Sequence, residues 1–166
     1  MAAQSSFDVT TGVDLQEVDN AVNQAGKEVG QRYDFKDAKV EIDFRRGEGL
    51  IALLADNDMR MRALFDLLQA KLIKRGVPVK NLDIGEVKPA GGDTLRREIK
   101  LKQSLDTDTA KKIAAAIKEQ KFKKIQAAIM GEQVRVSSPS KDELQTVMTY
   151  LRTQDFGVTL QYGNFR

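Results

Sequence analysis

The chain has 166 residues, 41% hydrophobic and 31% charged, with 27 Lys and Arg against 24 Asp and Glu for a net charge of +3. That balance suits one or two small soluble globular domains and argues against a disordered chain. There is no Cys and no His, which excludes disulfides and thiolate metal sites and removes the usual general base and the commonest metal ligand. Catalysis would have to rest on Asp, Glu, Lys, Tyr or Ser, so the chain is expected to bind rather than catalyse, without a cofactor or metal. Its longest apolar runs, such as residues 50–55, are far too short to span a bilayer. Met1-Ala2-Ala3-Gln4-Ser5-Ser6 has neither the basic start nor the apolar stretch of a secretory signal. The expectation is a cytoplasmic protein that does not enter membranes.

Residues 6–11 alternate Phe7, Val9 and Thr11 against Asp8 and Thr10, which predicts a strand. Asp14 and Glu17 mark a helix start, and Leu15, Val18, Ala21, Val22, Ala25 and Val29 share one helical face. Residues 39–44 alternate again, residues 45–49 form a turn, and residues 50–55 are apolar on both faces, as in a central strand. Asp56-Asn57-Asp58 reads as the cap of a second helix rather than a cation site; that helix carries Met61, Leu64, Phe65, Leu68 and Leu72 and stops at Gly76. A short strand follows at residues 82–84, and Pro89-Ala90-Gly91-Gly92-Asp93 reads as a linker.

The second half repeats this order. Residues 95–101 alternate, and Asp106 opens a helix with Ala110, Ile113, Ala114 and Ile117. Residues 124–130 form a strand, Gly131-Glu132 a two-residue hairpin turn, and Val134 and Val136 the returning strand. Ser140 to Glu143 is a capping box before Leu144, Val147, Met148 and Leu151, and Val158, Leu160 and Tyr162 suggest a last strand. Phe7 precedes Asp14 by seven residues, as Ile99 precedes Asp106. The repeat predicts an α+β fold: two tandem ferredoxin-like or RNA-recognition-like βαββαβ domains, residues 1–90 and 93–166, each a four-stranded antiparallel sheet with two helices on one face. Whether residues 6–11 pair in their own half or in the other is left open by the sequence.

Charge divides unevenly along the chain. Residues 1–89 carry 13 Lys and Arg against 15 Asp and Glu, and residues 90–166 carry 14 against 9, so positive potential is expected on the second half. Lysines 111, 112, 118, 121 and 123 read as a solvated helix face. Strand parity is more informative: if Ile99 and Leu101 face the helices, then Glu98, Lys100 and Lys102 face the open side, with Gln126, Gln133, Arg135, Ser137 and Gln161. Lys100, Lys102, Gln126, Arg135 and Gln161 are therefore the candidate nucleotide-binding residues, a mix able to hold phosphates and reach base edges. The alternating aromatics that stack RNA bases are missing from residues 50–55 and 133–138, and Gly26-Lys27-Glu28-Val29-Gly30 is not a phosphate loop.

Several blocks together resemble the YajQ family: Ser6-Phe7-Asp8-Val9, Asp14-Leu15-Gln16-Glu17, Tyr33-Asp34-Phe35-Lys36, Lys71 to Gly76, Leu101-Lys102-Gln103, Gly131 to Val136, Asp142 to Gln145 and Asn164-Phe165-Arg166. The resemblance covers essentially the whole chain. It implies tandem ribonucleoprotein-like domains and nucleotide binding without assigned catalytic residues, some members being regarded as cyclic di-GMP effectors that act on transcription. The chain departs from the pattern at Ser137-Ser138-Pro139-Ser140, where the family usually has Gly and basic residues, and at residues 126–130, where a second Gln is common. Both changes lower local positive charge and donor count. The sequence thus predicts a nucleotide-binding regulator. Its alternatives are a scaffold, oligomeric or associated with RNA, the ribosome or a transcription or translation protein, motivated by the outward apolar residues of 50–55, and general single-strand RNA binding.

Overall fold

A computed structural model describes residues 4–166; Met1–Ala3, part of the stretch read above for a signal, lie outside the described residues. In chain order the elements are β1 (Ser5–Thr10), α1 (Leu15–Gln31), β2 (Glu41–Arg45), β3 (Leu50–Ala55), α2 (Asp58–Lys74), β4 (Leu82–Ile84), β5 (Lys88–Ala90), β6 (Thr94–Leu101), α3 (Thr107–Glu119), β7 (Gln126–Met130), β8 (Gln133–Ser138), α4 (Lys141–Arg152) and β9 (Gln161–Gly163). The fold is α+β, with two antiparallel sheets. Among the described residues no helix is long and apolar enough to cross a membrane.

The chain forms two compact units, and they are not residues 1–90 and 93–166. One is contiguous, Val13–Lys102; the other joins the segment up to Gly12 to Gln103–Arg166. The boundary expected at 90–93 fails because Pro89-Ala90-Gly91-Gly92-Asp93 is no linker. It includes a three-residue turn closing a hairpin in which Lys88, Pro89 and Ala90 pair with Arg96, Leu95 and Thr94, and the buried Thr94 hydroxyl donates to the Gly91 carbonyl at 2.6 Å. So short a closure holds β6 in the sheet that precedes it.

In the contiguous unit the strand order is β2-β3-β6-β4, with β5 also on β6. Asp14 caps α1 by accepting from the Gln16 and Glu17 amides. The cap of α2 is Asn57, whose Oδ1 accepts from the Arg60 amide at 2.8 Å. Asp56, beside it, accepts through Oδ2 from the Lys39 amide and from Arg60 Nη1. Val18, Ala21, Val22 and Ala25 from α1 and Met61, Leu64, Leu68 and Leu72 from α2 pack on Ile51, Leu53, Ile99 and Leu101. Each Val, Leu, Ile or Met side chain among these contributes roughly 1.5–3 kcal/mol when fully buried. Phe65 lies at the margin of this stripe, under the Arg97 guanidinium at 4.8 Å from the ring centroid. Between β4 and β5 the Gly85 amide donates to the Glu98 carbonyl at 2.8 Å. A Cβ at Gly85 would lie 2.8 Å from that same oxygen, so only glycine permits this approach.

In the other unit the order is β7-β8-β1-β9. β1 is central: Phe7 pairs with Val136 and Val9 with Val134 on one side, and Val9 pairs with Tyr162 on the other. Phe7 and Val9 are 0% exposed beneath Ile113 and Ile117 of α3 and Val147 and Leu151 of α4. Asp106 and Ser140 cap those helices through the Thr109 and Glu143 amides. Gly131 opens the β7–β8 turn at φ 66°. Both sheet orders are consistent with a ferredoxin-like arrangement, but first strands are exchanged: β1 joins α3 and α4, while β6 joins α1 and α2.

Candidate functional site

The exchange splits the five candidate residues. Lys100 is exposed on β6 in the unit of Val13–Lys102, and the half-buried Lys102 ends that unit. Gln126, Arg135 and Gln161 stand on β7, β8 and β9 of the other unit. The grouping of all five on one sheet is therefore incorrect, because β6 pairs with β3 and β4 rather than with β8. The expected charge asymmetry goes with it. The unit of residues 1–12 and 103–166 holds 10 Lys and Arg against 8 Asp and Glu, and the unit of 13–102 holds 17 against 16. Arg96, Arg97, Lys100 and Lys102, which made the second half basic, belong to the unit of Val13–Lys102.

On the sheet holding Gln126, Arg135 and Gln161, Val134 and Val136 turn to the helices, and Gln133, Arg135 and Ser137 to the opposite face. The register lays out rows across that face: Gln126 beside Ser137 and Ser6, Ala128 beside Arg135 and Asp8, and Met130 beside Gln133, with Thr10 beside Gln161. Gln126 and Gln161 are exposed, and Arg135 is half-buried.

The centre of the face is an ion pair that strand parity did not reveal. Arg135 Nε donates to Asp8 Oδ1 at 2.9 Å and Nη2 to Oδ2 at 3.3 Å, and Asn164 Nδ2 donates to Oδ2 at 2.7 Å. Asp8 is 3% exposed. The Arg135 hydrogen bond holds its carboxyl below the usual range, burial pulls the other way, and Asn164 adds to the lowering. Arg135 is correspondingly raised, first by the hydrogen bond to Asp8. Arg135 is thus an oriented donor with its charge matched, not a free cation. In the sequence Asp8 is one polar residue in an alternating strand; only the β1–β8 register brings it to Arg135, 127 residues away.

A depressed carboxyl contributes stability that is complete above its unfolded value, near pH 4, and is lost as pH falls through its folded value. Asp8→Asn is therefore expected to be less stable than wild type at pH 7, with the gap closing below about pH 4. Urea midpoints from pH 7 to pH 2 measure this; a gap independent of pH would remove ionised Asp8 from the account.

The corresponding face of the contiguous unit carries Arg45, Leu50, Lys100 and Asp83 in one row, Asp43, Ala52 and Glu98 in the next, and Glu41, Leu54, Arg96 and Lys88 in the third. Ala52 is 6% exposed and Leu50 and Leu54 are half-buried, flanked by charged side chains whose stems can cover apolar surface. The outward apolar residues of β3 thus lie between charged residues of β2 and β6. A groove of about 330 Å³ beside Lys100 is lined by Lys88, Arg96 and Lys100 but also by Asp83, Glu86 and Glu98, and Arg96 pairs with Glu98 at 3.4 Å. Its balanced charge gives an anion little preference. Among the described residues no cluster of acidic side chains is arranged to hold a metal.

A family model described as nucleotide-binding protein YajQ-like matches residues 5–166. A protein of Chloroherpeton thalassium named nucleotide-binding protein is 44% identical over 166 residues, all of both chains. Proteins of the same name from Desulfitobacterium hafniense and Carboxydothermus hydrogenoformans are 46% and 45% identical, again over the full length of both chains.

Proposed function

The chain belongs to the YajQ-like family of nucleotide-binding proteins, and from that premise we propose that it binds a nucleotide on the β7-β8-β1-β9 face as a non-catalytic regulator. One observation carries the choice of face: Gln126, Gln133, Gln161 and Arg135 stand in neighbouring rows with the hydroxyls of Ser6, Ser137 and Thr10. Four strands span about 14 Å, enough for a base and its sugar. Side-chain amides read base edges through paired donors and acceptors. With Arg135 matched by Asp8, recognition rests on base and ribose, and Arg135 Nη1, which makes no hydrogen bond among the described residues, is the donor left for phosphate. The lack of His and Cys in the sequence favours binding over chemistry, and the cysteine-free sequence fits a cytoplasmic setting.

The test is calorimetry of the whole protein with GTP, ATP, cyclic dinucleotides and short RNA at physiological salt. Selective binding of one nucleotide is expected, weakened on the order of tenfold by Gln126→Ala with Gln161→Ala, since each hydrogen bond is worth about 0.5–1.5 kcal/mol. Both side chains are exposed, so thermal stability should hold. Unchanged affinity in that variant would move the site off this face. Salt-steep binding to RNA without base preference would favour the RNA reading.

A further inference from the structure

We propose that the free edge of β7 takes up an acidic, extended peptide segment of a partner protein as an added strand. β7 is the outer strand of its sheet, and its sequence Gln126-Ala127-Ala128-Ile129-Met130 contains no charge and no proline. Edges are normally protected by such residues, by bulges or by being very short. The other edge of this sheet, β9, has three residues. The edge strand of the other unit, β2, places Glu41, Asp43 and Arg45 on alternate positions and ties Arg45 to Asp43 at 3.0 Å. Among the described edge strands β7 alone presents five uncharged residues, with Ile129 and Met130 42% and 44% exposed.

The backbone has bonds to offer. The two-residue turn at Gly131-Glu132 makes Met130 and Gln133 the closing hydrogen-bonded pair, so Ala127 and Ile129 turn their amides and carbonyls outward. Along this edge, between β7 and α3, runs a groove of about 680 Å³, floored by Ala114, Ala115, Ile117 and Phe122 and bordered by Lys118 and Lys121. A strand laid beside β7 would place alternate side chains in that groove, the geometry of strand addition.

Charge selects the occupant. Residues 111–126 contain six lysines and one acid, Glu119. Lys118, Lys121, Lys123 and Lys124 are exposed, and among the described residues none of the four has an ion-pair partner. An acidic peptide would meet these lysines as its backbone pairs. A second copy paired through β7 would instead set two lysine clusters side by side, which disfavours self-association.

The probe is a labelled octapeptide of alternating Val and Glu, titrated into the whole protein by fluorescence anisotropy and followed by amide chemical shifts. Binding is expected, with shifts confined to β7 and α3. A peptide of alternating Val and Lys should not bind. N-methylation of alternate amides, which keeps charge but blocks strand pairing, should weaken binding at least tenfold, as should Lys118→Glu with Lys121→Glu, and Ile129→Pro, which removes an outward amide. Undiminished binding of the N-methylated peptide, shifts away from β7, or no binding would overturn the proposal. So would a micromolar dimer in sedimentation that Ile129→Pro disperses, which would make the occupant a second copy.

Discussion

A fragment of residues 13–102 is expected to fold cooperatively alone, whereas fragments cut at 1–90 and 93–166 are not. The first contains every strand of its sheet, β2 through β6, with both covering helices. Cutting at residue 90 removes β6, the strand that joins β3 to β4 and β5 and supplies the fully buried Ile99. β4 and β5 then have nothing to pair with, and two strands under two helices lose half of their sheet. The fragment 93–166 is equally deprived. Without β1, β9 has no neighbour and β8 loses its inner one. An isolated two-stranded hairpin is marginal in water. Thermal unfolding by circular dichroism and amide dispersion in NMR distinguish the fragments. A cooperative transition for 1–90 would show that β6 is dispensable to its sheet and would undo the account of the exchange.

Phe7→Ala should destabilise the protein by about 3–5 kcal/mol, and the loss should fall on residues more than 100 positions away in sequence. Phe7 is 0% exposed in the centre of the β7-β8-β1-β9 sheet. Its ring meets Tyr162 edge-on with centroids 6.0 Å apart and Phe165 at 6.3 Å, contacts that add to its area burial. A loss of that size is a large share of the roughly 5–15 kcal/mol that holds a domain folded. Amide exchange should therefore quicken at Val134 and Val136 and stay near wild type at Ile51 and Leu53, which share no core with Phe7. Uniform loss of protection, or a cost below about 1 kcal/mol, would contradict the assignment of β1 to this core.

The sequence by itself determined the local elements. The three-and-four spacing of Val18, Ala21, Val22 and Ala25, and of Leu144, Val147, Met148 and Leu151, produces a helical stripe wherever it is placed, and both stripes are buried. Asp14, Asp106 and Ser140 cap their helices through amides two or three residues on, an interaction that needs no tertiary partner. Alternation likewise assigned faces, placing Gln126, Arg135 and Gln161 opposite the core.

Tertiary structure alone decided which strand lies beside which. Phe7-Asp8-Val9 and Ile99-Lys100-Leu101 present the same apolar-polar-apolar pattern, so either strand satisfies the central slot of either sheet as far as periodicity can tell. The tight turn at residues 91–93 gives β6 to the sheet behind it, and β1 fills the place left in the other. From that choice follow the separation of Lys100 and Lys102 from Arg135 and the even charge of the two units. The pairing of Asp8 with Arg135 follows too, because alternation assigns a side chain to a face but not a neighbour across the sheet.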